Sequence, residues 1–123
     1  MKITLLSDDH IRLEPASGPL TIEAESPAMA YSPFHMMASG LAVCTLSVLH
    51  SWATHASLAT DGLQVDVTWS FAEDPHRVGE YHVSIAWPGL PEARRAVAER
   101  VAELCAVHNT FTHPPTLSLE VTA

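Results

Sequence analysis

The segment from Ser32 to Ser57, SPFHMMASGLAVCTLSVLHSWATHAS, is the longest apolar stretch of the chain and carries Cys44, one of only two cysteines. Ser32 suits an N-cap, because its hydroxyl accepts hydrogen bonds from the first free N–H groups. Pro33 suits the first helical position, where its missing N–H costs nothing. Met37, Gly40, Leu41, Cys44, Val48 and Trp52 recur at three- and four-residue steps and are predicted to share a face. Phe34, Val43, Leu46 and Leu49 make the other sides apolar too, and a helix apolar nearly all round is a buried one. Its fully apolar part falls short of the ~20 residues a bilayer span needs, and His35 and His50 flank it. The segment is predicted to be a central core helix with a thiol embedded in it.

The rest of the composition bounds what surrounds that helix. A chain of 123 residues is one domain, 1–123, long enough to bury most of its apolar surface without staples. With 47% hydrophobic and 16% charged residues it reads as a globular protein with a large core or an oligomer interface. The net charge of −8 argues against nucleic acid, whose phosphates need clustered Lys and Arg, and against an anionic membrane surface. The start, MKITLL, runs at once into Asp8 and Asp9, so no signal peptide is expected and the protein is predicted to be cytoplasmic. In that compartment two cysteines are reduced or redox-active rather than a structural staple.

Upstream of the helix, residues 2–6 and 10–15 alternate as strands around a Ser7-Asp8-Asp9 turn, and a short strand at 20–25 follows Ser17-Gly18-Pro19. Downstream, Asp61-Gly62 is a turn signal. Two half-buried strands follow, LQVDVTWSF (63–71) and EYHVSIAW (80–87), each alternating with a period of two and predicted to pair antiparallel. Pro88-Gly89-Leu90-Pro91 ends the sheet and opens a second helix, PEARRAVAERVAELCAVH. There Ala93, Val97, Val101, Leu104, Cys105 and His108 form one stripe, and Arg94, Arg95, Glu99 and Glu103 the wet side. TLSLEV at 116–121 is predicted to be a final strand. The order β-β-β-α-β-β-α-β, with strands in runs joined by tight turns, predicts an α+β fold with a mostly antiparallel sheet.

Each helix thus places one cysteine on an apolar face. Two readings follow. The thiols are small buried hydrophobes, or they are a redox pair in which one is oxidised to a sulfenic acid and the other resolves it as a disulfide. Cys44 lies about three turns past its helix start, too far for the positive helix end to lower its pKa. An activating donor must come from elsewhere, and His35, His55 and His108 are the candidates by helical phase or chain proximity.

The pair of segments SPFHMMASGLAVCT (32–45) and ELCAVHNTF (103–111) resembles the two cysteine motifs of the OsmC/Ohr family, proteins related to osmotically inducible protein C and to organic hydroperoxide resistance protein. Pro33, Ala38-Ser39-Gly40 and Cys44 match the first motif; Cys105-Ala106-Val107-His108 matches the second apart from its proline. The element order is similar as well, so the resemblance covers nearly the whole chain. It implies curved sheets packed around long central helices, and an intertwined homodimer with active sites near the subunit interface. The implied reaction is cofactor-free reduction of organic hydroperoxides, with Cys44 as peroxidatic nucleophile and Cys105 as resolving thiol, recycled by a dithiol reductant.

Two departures accompany the resemblance. Reductases of the family have a glutamate directly after the motif proline, orienting an arginine that lowers the thiol pKa. Phe34 stands there in this chain and accepts no hydrogen bond; Arg12 is the one arginine of the N-terminal strands that the pairing has to draw on. Slow turnover is expected, and the reading stays open between a hydroperoxide reductase and a non-catalytic dimer. In the second case Phe34, Met36, Met37 and Trp52 line an apolar pocket for a small hydrophobic ligand. No metal site is expected: Cys105-x-x-His108 has no second half at zinc spacing, and His50/His55 and His108/His113 are five apart.

Overall fold

The computed structural model describes residues 33–123 in full, with the backbone of residues 2–7 and 10–14 before them. The order is β1 (Lys2–Ser7), β2 (His10–Glu14), α1 (Pro33–His55), β3 (Gln64–Ala72), β4 (Arg77–Ala86), a 3-10 turn (Glu92–Arg94), α2 (Arg95–Ala102) and α3 (Ala106–Thr112). Among the described residues β1 pairs with β2 and β3 with β4, both antiparallel. The result is an α+β fold. The strand expected at 20–25 and the N-cap at Ser32 lie outside the described residues.

α1 is a single 23-residue helix, and β3, α2 and α3 all pack on it. By length and composition it is also apolar enough to cross a membrane, which corrects the expectation that its apolar part is too short. Within this chain it is the helix that the other elements cover. Its buried stripe is Ala38, Leu41, Thr45, Leu49 and Ala53. This face lies beside the expected one, of whose six residues only Leu41 is fully buried, while Met37 is exposed. On a helix apolar all round, hydrophobicity does not choose the facing side. Close packing does, and it selects the small residues Ala38 and Ala53. Thr45 is tolerated there because its hydroxyl donates to the Leu41 carbonyl at 2.8 Å. Val43, Leu46 and Val48 are only half-buried, so the described residues leave part of this helix uncovered.

The long hairpin follows the alternation closely. Val65 faces Ile85, Val67 faces Val83 and Trp69 faces Tyr81, all half-buried, with Asp66, Thr68, Ser84 and His82 exposed between them. β4 begins three residues earlier than predicted. A bulge lets the register shift after Ser70, and Gly79 fills it because a Cβ there would stand 2.6 Å from that of Ala72. Gly62, at φ +74°, turns the chain into β3.

The core gathers Leu49 and Ala53 of α1, Trp87 after β4 and Ala98 of α2. Trp52 meets Trp87 edge-on at 6.0 Å, and Trp87 Nε1 donates to the Ala59 carbonyl at 2.9 Å.

Two elements differ from the sequence reading. The second helix is not continuous: it divides into the 3-10 turn, α2 and α3, with Cys105 between the last two. The Ala93–His108 stripe therefore does not lie on one face. Ala93 and Leu104 are exposed while Ala98 and Cys105 are buried. Arg95 pairs back with Glu92 at 3.2 Å rather than forward with Glu99. The expected strand at 116–121 is not a strand here. A strand needs a neighbouring ladder, and none of the described elements supplies one. Leu117, Leu119 and Val121 are left 91%, 90% and 87% exposed.

Candidate functional site

The break between α2 and α3 brings the two thiols together. α2 winds down through Leu104 N–H to Val101 O (3.0 Å) and Cys105 N–H to Ala102 O (3.3 Å). Cys105 then turns extended, at φ −58° and ψ 127°, and becomes the N-cap of α3. Its Sγ accepts a hydrogen bond from the His108 N–H at 3.4 Å, and its carbonyl accepts from Asn109 N–H at 3.0 Å. Cysteine is not among the residues that favour this position, so tertiary packing places it there. Cys105 is fully buried, Cys44 is half-buried on α1, and both are free thiols.

Cys44 lies close enough to Cys105 to act on its ionisation. The Cys105 thiol is pushed above the ordinary thiol range, first by burial and then by the neighbouring Cys44 thiol, while N–H groups of His108 and Val107 pull it back in part. At neutral pH Cys105 is therefore a protonated thiol.

His35 is on the exposed first turn of α1, its ring edge-on to Trp69 at 5.1 Å. His55 Nδ1 bonds the Ser51 carbonyl at 2.8 Å. His108 reaches Cys105 through its peptide N–H, not its imidazole. Arg12 pairs with Thr4 in the β1–β2 ladder, and its side chain lies outside the described residues. Phe34 stacks edge-on against Phe71 at 4.9 Å. No group of three or more metal-ligating side chains is found among the described residues.

An open cavity of about 720 Å³ lies between α1, β4, α2 and α3. Leu41 and Thr45, on either side of Cys44 in the chain, form one wall, and His108 forms part of another. Neither cysteine is among its lining residues. Phe34, Met36, Met37 and Trp52 are not among its lining residues; Trp52 is spent on the Trp87 contact. Tyr81 and Phe111, which the sequence reading passed over, stack here at 4.9 Å and 17°. The Tyr81 hydroxyl is buried with no hydrogen-bond partner among the described residues, and burial pushes its pKa up, so it stays protonated. The signal available in the sequence was the amphipathic character of a tyrosine on an otherwise aliphatic strand face.

Comparison with known proteins gives a consistent result. Residues 25–120 match the family described as OsmC-like protein. The fold is similar to that of a protein from Psychrobacter arcticus 273-4 named for osmotic stress induction and the detoxification response. The two are 29% identical with a TM-score of 0.63, over 72% of this chain and 64% of that one, so this chain spans less than two thirds of its length. It is similar also to an OsmC-like protein from Mycoplasma pneumoniae, at 23% identity and a TM-score of 0.57 over 75% and 70% of the two chains, a likeness of fold. No curated protein matches.

Proposed function

Because the chain belongs to the OsmC-like protein family, we propose that it reduces organic hydroperoxides through Cys44 and Cys105, as a cytoplasmic homodimer without a cofactor. The Cys44 thiolate attacks the terminal peroxide oxygen. The O–O bond breaks, Cys44 becomes a sulfenic acid, and the leaving alkoxide takes a proton to give the alcohol. Cys105 then attacks the sulfenic sulfur, forming the disulfide and releasing water. A dithiol returns both thiols by supplying two electrons and two protons.

The observation that carries this reading is the proximity of two cysteines 61 positions apart in the chain, one on α1 and one at the cap of α3, close enough for the one thiol to act on the other. Burial keeps Cys105 protonated, which suits a thiol that acts second and lets Cys44 meet the oxidant. The cavity between α1, β4, α2 and α3 has room for a small molecule, and the Psychrobacter protein's name places that relative in a detoxification response. The homodimer is supported by apolar surface that the described residues leave uncovered, above all Leu117, Leu119 and Val121. A second reading, a dimer that binds a small hydrophobic ligand without chemistry, is favoured by Phe34. It presents a ring to Phe71 where an activating carboxylate would stand.

The deciding experiment mixes the reduced protein with cumene hydroperoxide at neutral pH and follows the products by mass spectrometry. A Cys44–Cys105 disulfide forming faster than a free thiol oxidises supports the redox pair, and Cys44→Ser abolishes it. Oxidation at the free-thiol rate, with no disulfide, leaves the binding protein.

A further inference from the structure

We infer that Glu73, His76, Phe71 and Phe34 form a pH-sensitive latch, which fastens the turn between β3 and β4 to the first turn of α1 and tightens when His76 is protonated. The contacts run in series from one element to the other. His76 Nδ1 lies 2.9 Å from Glu73 Oε1. The His76 ring stacks on Phe71, with centroids 5.0 Å apart and planes inclined by 19°. Phe71, near the end of β3, meets Phe34, the second residue of α1, edge-on at 4.9 Å. Arg77 donates to the Glu73 and Pro75 carbonyls at 3.0 and 2.8 Å, which ties the backbone of the turn together around the pair.

A neutral imidazole makes the Glu73 bond only as the Nδ1–H tautomer. A protonated one always donates from Nδ1, and it adds its charge to both contacts. The carboxylate gains an ion pair, and the Phe71 ring gains a stacked cation inside the ~6 Å that such contacts span. Both gains belong to the folded chain, so they are present at low pH and lost as pH rises through the imidazole titration. Of the other charged groups in this region, Asp74 shares the sign of Glu73 and Arg77 opposes the imidazolium. Glu80 lies further along, opposite Ser70 on β4. The first turn of α1 holds no carboxylate, and the ring of its His35 meets Trp69. The His76 and Glu73 side chains are 60% and 71% exposed, so water and salt screen the pair and the latch is a weak one.

The test is a double-mutant cycle on the full chain with Glu73→Gln, His76→Gln and the two together. Both positions are exposed, so neither change opens a hole in the core. Each protein is unfolded in urea at about pH 5.5 and about pH 7.5, either side of the range where imidazole titrates, at fixed protein concentration and ionic strength. At the lower pH the pair should show a coupling of about two- to fivefold in the unfolding constant, and at the higher pH less than about half of that. An NMR titration reads the link to α1 in the native chain. The Phe34 ring signals should move with those of His76 in one step, and His76→Gln should remove that step, which separates it from any effect of the neighbouring His35. Three results would overturn the inference. They are a coupling of the same size at both pH values, no coupling at the lower one, and a Phe34 step that survives His76→Gln. None of these measurements depends on the thiols, so the latch and the proposed peroxide chemistry stand or fall separately.

Discussion

Replacing Ala106 with proline separates two structures for the segment that holds Cys105. In the chain as folded, Ala106 is the first residue of α3 and Cys105 precedes it at φ −58° and ψ 127°. The first N–H of a helix has no intrahelical acceptor, so proline removes nothing there. The conformation of Cys105 is also the extended one that a residue before proline prefers. Under those conditions proline acts on the unfolded chain, narrowing its freedom and raising stability by about 0.4–1 kcal/mol. Were residues 95–108 one continuous helix, as their periodicity suggests, the same change would delete an interior hydrogen bond and clash with the preceding turn, costing about 3 kcal/mol or more. The two outcomes differ in sign. For a chain of this length they correspond to a rise of roughly 1–5 °C in melting temperature against a fall of roughly 10 °C. Thermal and urea unfolding at fixed protein concentration read the difference, with an unchanged urea slope showing that the unfolded state is comparable. A loss of stability of more than 1 kcal/mol would refute the helix break, and with it the cap that brings Cys105 to Cys44.

Two further outcomes follow from the site and the tail. The Cys105 thiol is held above the ordinary range, so its neutral form favours the fold at pH values below ~8.5, and that contribution is lost as pH rises through the folded-state value. A 13C-cysteine NMR titration should place the Cys105 midpoint above ~8.5, and Cys44→Ala should lower it without removing the effect of burial; a midpoint below 8 would contradict both causes. Deleting residues 114–123 takes away Leu117, Leu119 and Val121, which contribute nothing to the core of the single chain. If the full-length chain sediments as the proposed dimer, the shortened chain should sediment as a monomer, and a shortened chain that sediments as the full-length one does would remove the tail from the interface.

Much of this fold can be read directly from residue patterns, because its signals are local. The β3–β4 hairpin follows from alternation alone, since a strand with one covered face needs a period of two, and Val65, Val67 and Trp69 meet Ile85, Val83 and Tyr81 as that period requires. The N-terminal hairpin and the extent of α1 follow in the same way, and the spacing of the two cysteine motifs is enough to suggest the family. The face that α1 buries is not legible, because every side of it is apolar and only the shapes of its neighbours select Ala38, Thr45 and Ala53. Nor is the break at Cys105, where neither glycine nor proline marks a stop. In the family motif a proline follows that cysteine, and read as a first helical residue rather than a terminator it would have placed the start of α3 at position 106. The chain order alone determines an α+β domain with a thiol in each of two helical segments. The tertiary structure decides that the thiols come near each other, since proximity across 61 residues depends on how α1 and α3 pack, and no local pattern encodes that distance.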